Sequence, residues 1–249
     1  MERQDDAILL SKNFFGERRC HGLFLTSQSG RWRVSLPKTL SLQPGDEGVL
    51  SWRAPSPNHI ALGHYEKKSS AFSALLDNPP ALLALKSACS LYVSCLSDQR
   101  STGQEFSVLR DFLQQLRTFH PALYILFERE VLSVLGFGLD LTRCAVTGAT
   151  TGLAFVSPKT GCAVSERGVG PYRDRLLPLP SFLLPSAPTL CPEACEAISG
   201  EDLQNGFALT RHFLERAVRS LHPSRSLPLE RRMLEEWGTG TINHPPPER

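Results

Sequence analysis

The chain has 249 residues, of which 41% are hydrophobic and 21% charged, and its formal net charge is +2. This composition excludes a chain that is disordered throughout, because it supplies enough apolar residues for one large domain or a few small ones. No apolar run approaches the roughly 20 residues of a membrane-spanning helix. The start, MERQDDAILL, lacks the layout of a secretory signal, and seven scattered cysteines suit a reducing compartment. We therefore expect a cytoplasmic protein that does not contact membranes.

Residues 1–68 contain five short segments with β-strand character, separated by turn clusters such as SQSG and QPGDEG. The segments are AILL at 7–10, HGLFLTS at 21–27, RWRVSL at 31–36, GVLSWR at 48–53 and HIALGHY at 59–65. Five strands with a basic face match an OB-fold barrel, a fold that commonly binds oligonucleotides. Small SH3-like barrels give the same pattern and stay open as an alternative.

The barrel segment carries a local excess of positive charge. Between residues 12 and 38, six cations accompany the single acid Glu17, which gives this stretch a net charge of +5. Such a cluster is typical of a surface that meets phosphates, although an ordinary solvated face is the competing interpretation. The six cations are Lys12, Arg18, Arg19, Arg31, Arg33 and Lys38.

Aromatic residues interleave with these cations. Phe14, Phe15, Phe24 and Trp32 are candidate platforms on which unpaired bases stack. The competing role is packing in the barrel core, which the pattern favours more for Phe24 than for Trp32. We therefore predict Trp32 as the stacking residue and the six cations as contacts to DNA phosphates.

From about residue 69 the hydrophobic period becomes helical, which predicts an α+β protein. Proline-first and glycine-last signals bound a helix from Pro121 to Gly136. A hairpin with the turn SPKTG interrupts the helical part. We divide the chain into the barrel (1–68), the first helical part (69–138), the hairpin insertion (139–168), a proline-rich connector (169–200), the second helical part (201–238) and a disordered tail (239–249).

The hairpin insertion holds two cysteines, each followed three residues later by a hydroxyl residue: Cys144 with Thr147, and Cys162 with Ser165. A structural zinc site needs four ligands, usually as two CxxC pairs, and neutral hydroxyls bind zinc poorly. We therefore expect no metal. The alternative is a metal site that Cys191 and Cys195 of the connector complete. Cys89 and Cys95 lie in an apolar helix and are expected in the core.

Motifs of catalysis are missing from the sequence. It contains no phosphate-binding loop, no third glycine after Gly136-Phe137-Gly138, no HExxH and no GxSxG, and its seven histidines are scattered. We expect no enzyme and no cofactor. A metal-dependent enzyme that uses Cys144 and Cys162 is the hypothesis that competes.

The order of motifs resembles the RecO family of DNA repair proteins, in a form like the alphaproteobacterial members. The resemblance is densest in GFGLDLTRCAVTGATTGLAFVSPKTGCAVS at 136–165, GPYRDRLLPLPSFLL at 170–184 and GFALTRHFLERAV at 206–218. It implies an N-terminal OB-fold, a helical domain and, in some members, a four-cysteine zinc lobe, here with incomplete cysteines.

The resemblance also implies partners. Proteins of this family bind single- and double-stranded DNA, anneal complementary strands, bind the C-terminal tail of single-stranded-DNA-binding protein (SSB) and, with RecR, help load RecA onto coated strands. It implies a cytoplasmic protein that joins the nucleoid during repair. A scaffold for RecR and SSB with weakened DNA binding is the alternative function.

Two departures from the family pattern bear on binding strength. The interval WRVSLPKTLS between Gly30-Arg31 and LQPGD is short and retains only Arg33 and Lys38 as cations. Leu126 stands before Phe127-Glu128 where members typically carry arginine. Fewer phosphate contacts predict weaker DNA affinity, and a lost cation predicts a weaker dock for the acidic SSB tail.

Overall fold

The computed structural model describes residues 2–38, 41–54, 59–96, 103–187, 194–195 and 197–241. The chain divides into two compact units. Unit 1 comprises Met1–Arg117 with Pro228–Arg231, and unit 2 comprises Thr118–Leu227 with Arg232–Arg249. The helices up to residue 117, which the sequence groups with the helical domain, therefore belong to the same unit as the barrel.

Unit 1 is built on a closed five-stranded barrel with the strand order β1-β2-β3-β5-β4. The strands are β1 (Glu2–Phe15), β2 (Arg19–Thr26), β3 (Gly30–Pro37), β4 (Asp46–Arg53) and β5 (Ala61–Ser70). Neighbouring strands are antiparallel except β3 and β5, which pair in parallel. All five predicted strands are present, and the OB-fold prediction is confirmed.

The barrel core follows the alternation of side chains along each strand. Trp32, Val34 and Leu36 of β3 face inward with Phe24 of β2 and Tyr65 of β5. The predicted core position of Phe24, which is fully buried, is therefore confirmed. Close backbone packing accompanies the register shift between β4 and β5 at Glu47 and Gly48, since a Cβ atom on Gly48 would lie 2.1 Å from the carbonyl oxygen of Glu66.

Three helices complete the described part of unit 1: α1 (Ala71–Ala74), α2 (Pro79–Cys95) and α3 (Gln104–Gln115). Asn78 ends the preceding turn and caps α2, because its side-chain oxygen accepts from the backbone N–H of Ala81 at 3.2 Å. Helix α2 is apolar almost all round and packs on β1, and Cys89 and Cys95 are buried as expected.

The described part of unit 2 includes three longer helices and a small sheet. The helices are α4 (Pro121–Val134), α5 (Gly200–Leu221) and α6 (Leu229–Gly238). Helix α4 packs along α5, and the first three residues of α6 fall within unit 1. None of the helices in the described ranges is long and apolar enough to cross a membrane.

The predicted hairpin is confirmed as β6 (Leu153–Val156) and β7 (Ala163–Ser165), which pair antiparallel. The described part of the connector is more ordered than predicted: it forms 3₁₀ turns at Gly170–Arg175 and Ser181–Leu183, and β8 (Leu177–Pro178) adds to the edge of β6. Residues 188–193 and 196 of the connector, and residues 242–249 of the tail, lie outside the described residues.

A buried carboxylate holds the β2–β3 turn. Asp5 is 9% exposed, and it accepts hydrogen bonds from the Ser27 hydroxyl and from the backbone N–H groups of Gln28, at 2.9 Å, and Ser29, at 3.1 Å. The neighbouring Asp6 side chain is 54% exposed and pairs with Lys68 at 3.2 Å. Two adjacent aspartates therefore differ in what they stabilise.

We expect Asp5→Ala to lower the free energy of unfolding by about 2 kcal/mol, because it leaves partly buried donors without an acceptor. Asp6→Ala is the matched control, and its loss is expected below about 0.5 kcal/mol because exposed ion pairs contribute little. Urea denaturation of both variants measures the difference. Equal losses would contradict the assigned role of Asp5.

Candidate nucleic-acid interface

An exposed aromatic side chain lies between two lysines at the end of β1. The Phe14 ring is 65% exposed. The ammonium groups of Lys12 and Lys38 lie 5.1 Å and 5.3 Å from its centroid, in the range of cation–π contacts. We call Lys12, Phe14 and Lys38 the Phe14 cluster. It presents an aromatic face beside two positive charges, as surfaces that bind single strands do.

A second exposed aromatic follows directly. Phe15 is 64% exposed and stacks on His21 with ring centroids 4.6 Å apart. The turn from β1 to β2 then begins at Gly16, whose positive φ of 64° suits glycine, and exposes Arg18. Aromatic and cationic side chains thus continue from the Phe14 cluster into this turn.

Arg33 and Arg19 differ in how much of each guanidinium remains available. Arg33 is exposed on β3. Arg19 is half-buried, and it donates to the hydroxyl of Ser35 at 2.6 Å and to the carbonyl of Ser35 at 2.7 Å. Arg19 therefore ties β2 to β3, and a contact between Arg19 and a phosphate stays a prediction.

The structure corrects the expected surface placement of Arg31 and Trp32. Arg31 is only 5% exposed, and its guanidinium donates to the carbonyls of Tyr92, at 3.1 Å, and Val93, at 2.9 Å, near the end of α2. Trp32 is 6% exposed and packs against Trp52 with centroids 5.4 Å apart. Neither side chain is presented to a DNA strand in this conformation.

The alternation of residues along β3 indicates that Trp32 is buried, because Val34 and Leu36 lie on the same face of the strand and all three are apolar. Phe14 and Phe15 are the exposed aromatics of the predicted set. The sequence pattern includes these two among the stacking candidates but does not single them out. Their position next to the turn at Gly16, where β1 leaves the barrel, is the signal that selects them.

The predicted protein-contact helix, α4, has a buried acid. Glu128 is fully buried and accepts a hydrogen bond of 2.5 Å from the Thr210 hydroxyl of α5, while Phe127 is 4% exposed. Leu126 is half-buried on the same helix. A cavity of about 180 Å³ lies beside α4, lined in part by Arg129, Ser133 and Leu141.

Cys144 is the centre of a hydrogen-bonded cluster in the hairpin insertion. Its Sγ accepts from the backbone N–H of Thr147 at 3.3 Å, and from the backbone N–H and hydroxyl of Ser165 at 3.2 Å and 3.3 Å. Burial opposes ionisation of this thiol, but the hydrogen bonds from Ser165 and Thr147 outweigh burial and lower the pKa of Cys144 to about 6.

Cys162 does not join this cluster. Its Sγ lies 3.9 Å from the carbonyl oxygen of Thr160. Within the described ranges, no group of three or more His, Cys, Asp or Glu side chains is arranged to hold a metal ion. Cys195 is buried, whereas Cys191 lies outside the described residues.

A closed five-stranded barrel with exposed cations and aromatics, joined to a helical unit, defines a protein of the OB-fold class, whose members commonly bind oligonucleotides. Comparison with known proteins narrows this class. Residues 76–226 match the family model described as "Recombination protein O C terminal".

Similar full-length proteins carry the name DNA repair protein RecO. The Caulobacter relative is 35% identical over 92% of this chain and 93% of its own length. The Cereibacter sphaeroides relative is 37% identical over 95% and 98%, and that of Hyphomonas neptunium 37% over 94% and 97%. The chain belongs to the RecO family of DNA repair proteins, which confirms the resemblance.

Proposed function

We propose that this protein is a recombination mediator that binds single- and double-stranded DNA and anneals complementary strands. With RecR, it helps to load RecA onto single strands coated with SSB. The observation that carries the proposal is the Phe14 cluster, an exposed ring between two ammonium groups on an OB-fold barrel. Family membership supports the same function.

The mechanism needs no chemical turnover. Cations on the barrel neutralise phosphates and release counterions, which gives affinity without sequence preference. Stacking on Phe14 and Phe15 orients unpaired bases. Two strands held on one basic surface lose part of their mutual repulsion, so pairing is accelerated by proximity. Lys12, Phe14, Phe15, Arg18, Arg33 and Lys38 are the residues proposed to contact DNA.

The helical unit is proposed to carry the protein contacts, including the acidic C-terminal tail of SSB. The position of Arg129 supports a binding site for this tail beside α4. Arg129 lines the cavity there, although its guanidinium also donates to the Leu183 carbonyl at 2.9 Å and pairs with Glu130 at 2.8 Å. These bonds compete with an acidic ligand, which is consistent with the weak dock that Leu126 predicts.

Annealing of two complementary fluorescent strands tests the proposal. We expect the wild-type protein to accelerate annealing, and Arg18→Gln/Arg33→Gln to reduce the acceleration about fivefold or more at 100 mM salt because two exposed cations are removed. The control is Arg211→Gln/Arg232→Gln, which removes the same charge from residues paired with Glu235 at 3.1 Å and Glu236 at 3.5 Å.

A scaffold that acts mainly through RecR or SSB is the alternative function. It predicts micromolar or weaker DNA retention that hardly changes with salt, together with intact SSB binding. Absence of both annealing and SSB-tail binding in the wild-type protein would contradict the mediator proposal altogether.

A further inference from the structure

Four positions from two turns of unit 2 converge on one point. The Thr147 and Ser165 hydroxyl oxygens are 3.2 Å apart, and Ser165 Oγ is 3.3 Å from Cys144 Sγ. A Cβ atom built on Gly168 would lie 3.1 Å from Cys144 Sγ and 3.3 Å from Ser165 Oγ. We call Cys144, Thr147, Ser165 and Gly168 the cage. Its residues are spaced three apart in both turns, as in two CxxC pairs.

The cage corrects the predicted pairing of Cys162 with Ser165. The backbone of Cys162 forms an isolated parallel β-bridge with that of Asp140, and Cys162 leads directly into β7, which ends at Ser165. Side chains separated by three residues in an extended strand face opposite sides. Ser165 faces Cys144, so Cys162 faces away from it. The fourth cage position is therefore Gly168.

The donors of the cage do not fit zinc. One thiol and two neutral hydroxyls are present, and Gly168 supplies no donor atom. Four thiolates around zinc bind at about 2.3 Å and therefore lie roughly 3.8 Å apart. The cage atoms are closer, at the 3.2 Å and 3.3 Å of direct hydrogen-bond contact. The centre is closed by hydrogen bonds.

We infer that hydrogen bonds to Cys144 take the place of a metal crosslink between the two turns, so that this lobe folds without zinc. The backbone N–H of Ser165 and its hydroxyl reach Cys144 across the lobe, and the N–H of Thr147 fixes the first turn. Leu153, Val156 and Val164 are buried in the hairpin and stabilise it further. This inference is independent of the proposed DNA binding.

Restoring thiols tests which positions form the cage. Thr147→Cys/Ser165→Cys/Gly168→Cys gives four cage thiols, and Thr147→Cys/Ser165→Cys gives three plus Cys162 outside. We expect the triple variant to bind one zinc ion per chain, and to bind Co²⁺ with thiolate charge-transfer absorption. The double variant is expected to bind at least tenfold more weakly, and the wild type below 0.1 zinc per chain, on the order of the background in such assays.

Three outcomes would overturn the inference: stoichiometric zinc in the wild type, equal affinity of the double and triple variants, or no metal binding by the triple variant. If the triple variant is unfolded without metal, recovery of its circular dichroism on zinc titration replaces the absorption readout, because a formed site folds its own lobe.

Two cysteine variants test the hydrogen-bonded centre without any metal. Cys144→Ala removes the acceptor of the three bonds and is expected to lower the melting temperature by about 4 °C. Cys162→Ala is the matched control, expected to change it by less than about 1 °C. A wild-type melting temperature that falls in EDTA, or equal effects of the two variants, would contradict the inference.

Discussion

Replacement of Arg31 by methionine is expected to lower the free energy of unfolding by about 3 kcal/mol. Arg31 is 5% exposed, and its guanidinium donates to the carbonyls of Tyr92 and Val93 at 3.1 Å and 2.9 Å. These carbonyls belong to the last turn of α2, where a cation also offsets the helix dipole. Methionine fills similar space but leaves both carbonyls without this donor.

Arg33→Met is the matched control for Arg31→Met, because Arg33 is exposed two residues along the same strand. Its effect on stability is expected within about 0.5 kcal/mol. Chemical denaturation of the two variants provides the comparison, and equal stabilities would contradict the structural role of Arg31. A lower DNA affinity of an Arg31 variant therefore cannot be attributed to a lost phosphate contact, whereas that of an Arg33 variant can.

The sequence predicts the barrel well because its signals are local. Turn residues divide five segments with β-strand character, and each of them forms a strand. The position of Arg31 was not predictable in the same way. Alternation places Arg31, Arg33 and Ser35 on one face of β3, but only the tertiary structure determines that α2 covers Arg31 and leaves Arg33 exposed.

The spacing of residues in the sequence predicts one of the two pairs that form the cage. The spacing indicates the pair Cys144 and Thr147, because both lie in one tight turn, where the Thr147 N–H donates to Cys144 Sγ. For the second pair, the spacing selects Cys162 with Ser165, whereas the structure brings Ser165 together with Gly168. The spacing does not show that Cys162 continues into strand β7, whose alternation turns the Cys162 side chain away from Ser165. A glycine carries no donor, so Gly168 gave no signal as a ligand position.

Replacement of Phe14 by leucine is expected to weaken binding of single-stranded DNA about tenfold, because one stacked base contributes roughly 1–3 kcal/mol. Leucine keeps an apolar side chain, and Phe14 is 65% exposed, so stability is expected to change little. Leu62→Ala is the control, because Leu62 is 63% exposed on the same barrel but lies outside the Phe14 cluster. Fluorescence anisotropy with a labelled single strand measures the affinities. Equal affinities of the Phe14 and Leu62 variants would exclude Phe14 as a stacking platform.

The two lysines of the Phe14 cluster are expected to act through charge, which salt dependence separates from stacking. Each phosphate contact to a single strand contributes about 0.7 to the slope of log affinity against log salt, so Lys12→Gln/Lys38→Gln is expected to reduce that slope by about 1.4. Phe14→Leu should leave the slope unchanged while lowering affinity at every salt concentration. Lys68→Gln is the control, because its ammonium is already paired with Asp6 at 3.2 Å. If the double lysine variant leaves the slope of log affinity against log salt unchanged, the DNA path lies elsewhere on the protein. If the slope falls and the effect of Phe14→Leu does not depend on salt, one DNA strand contacts both the lysines and the aromatic ring of the Phe14 cluster.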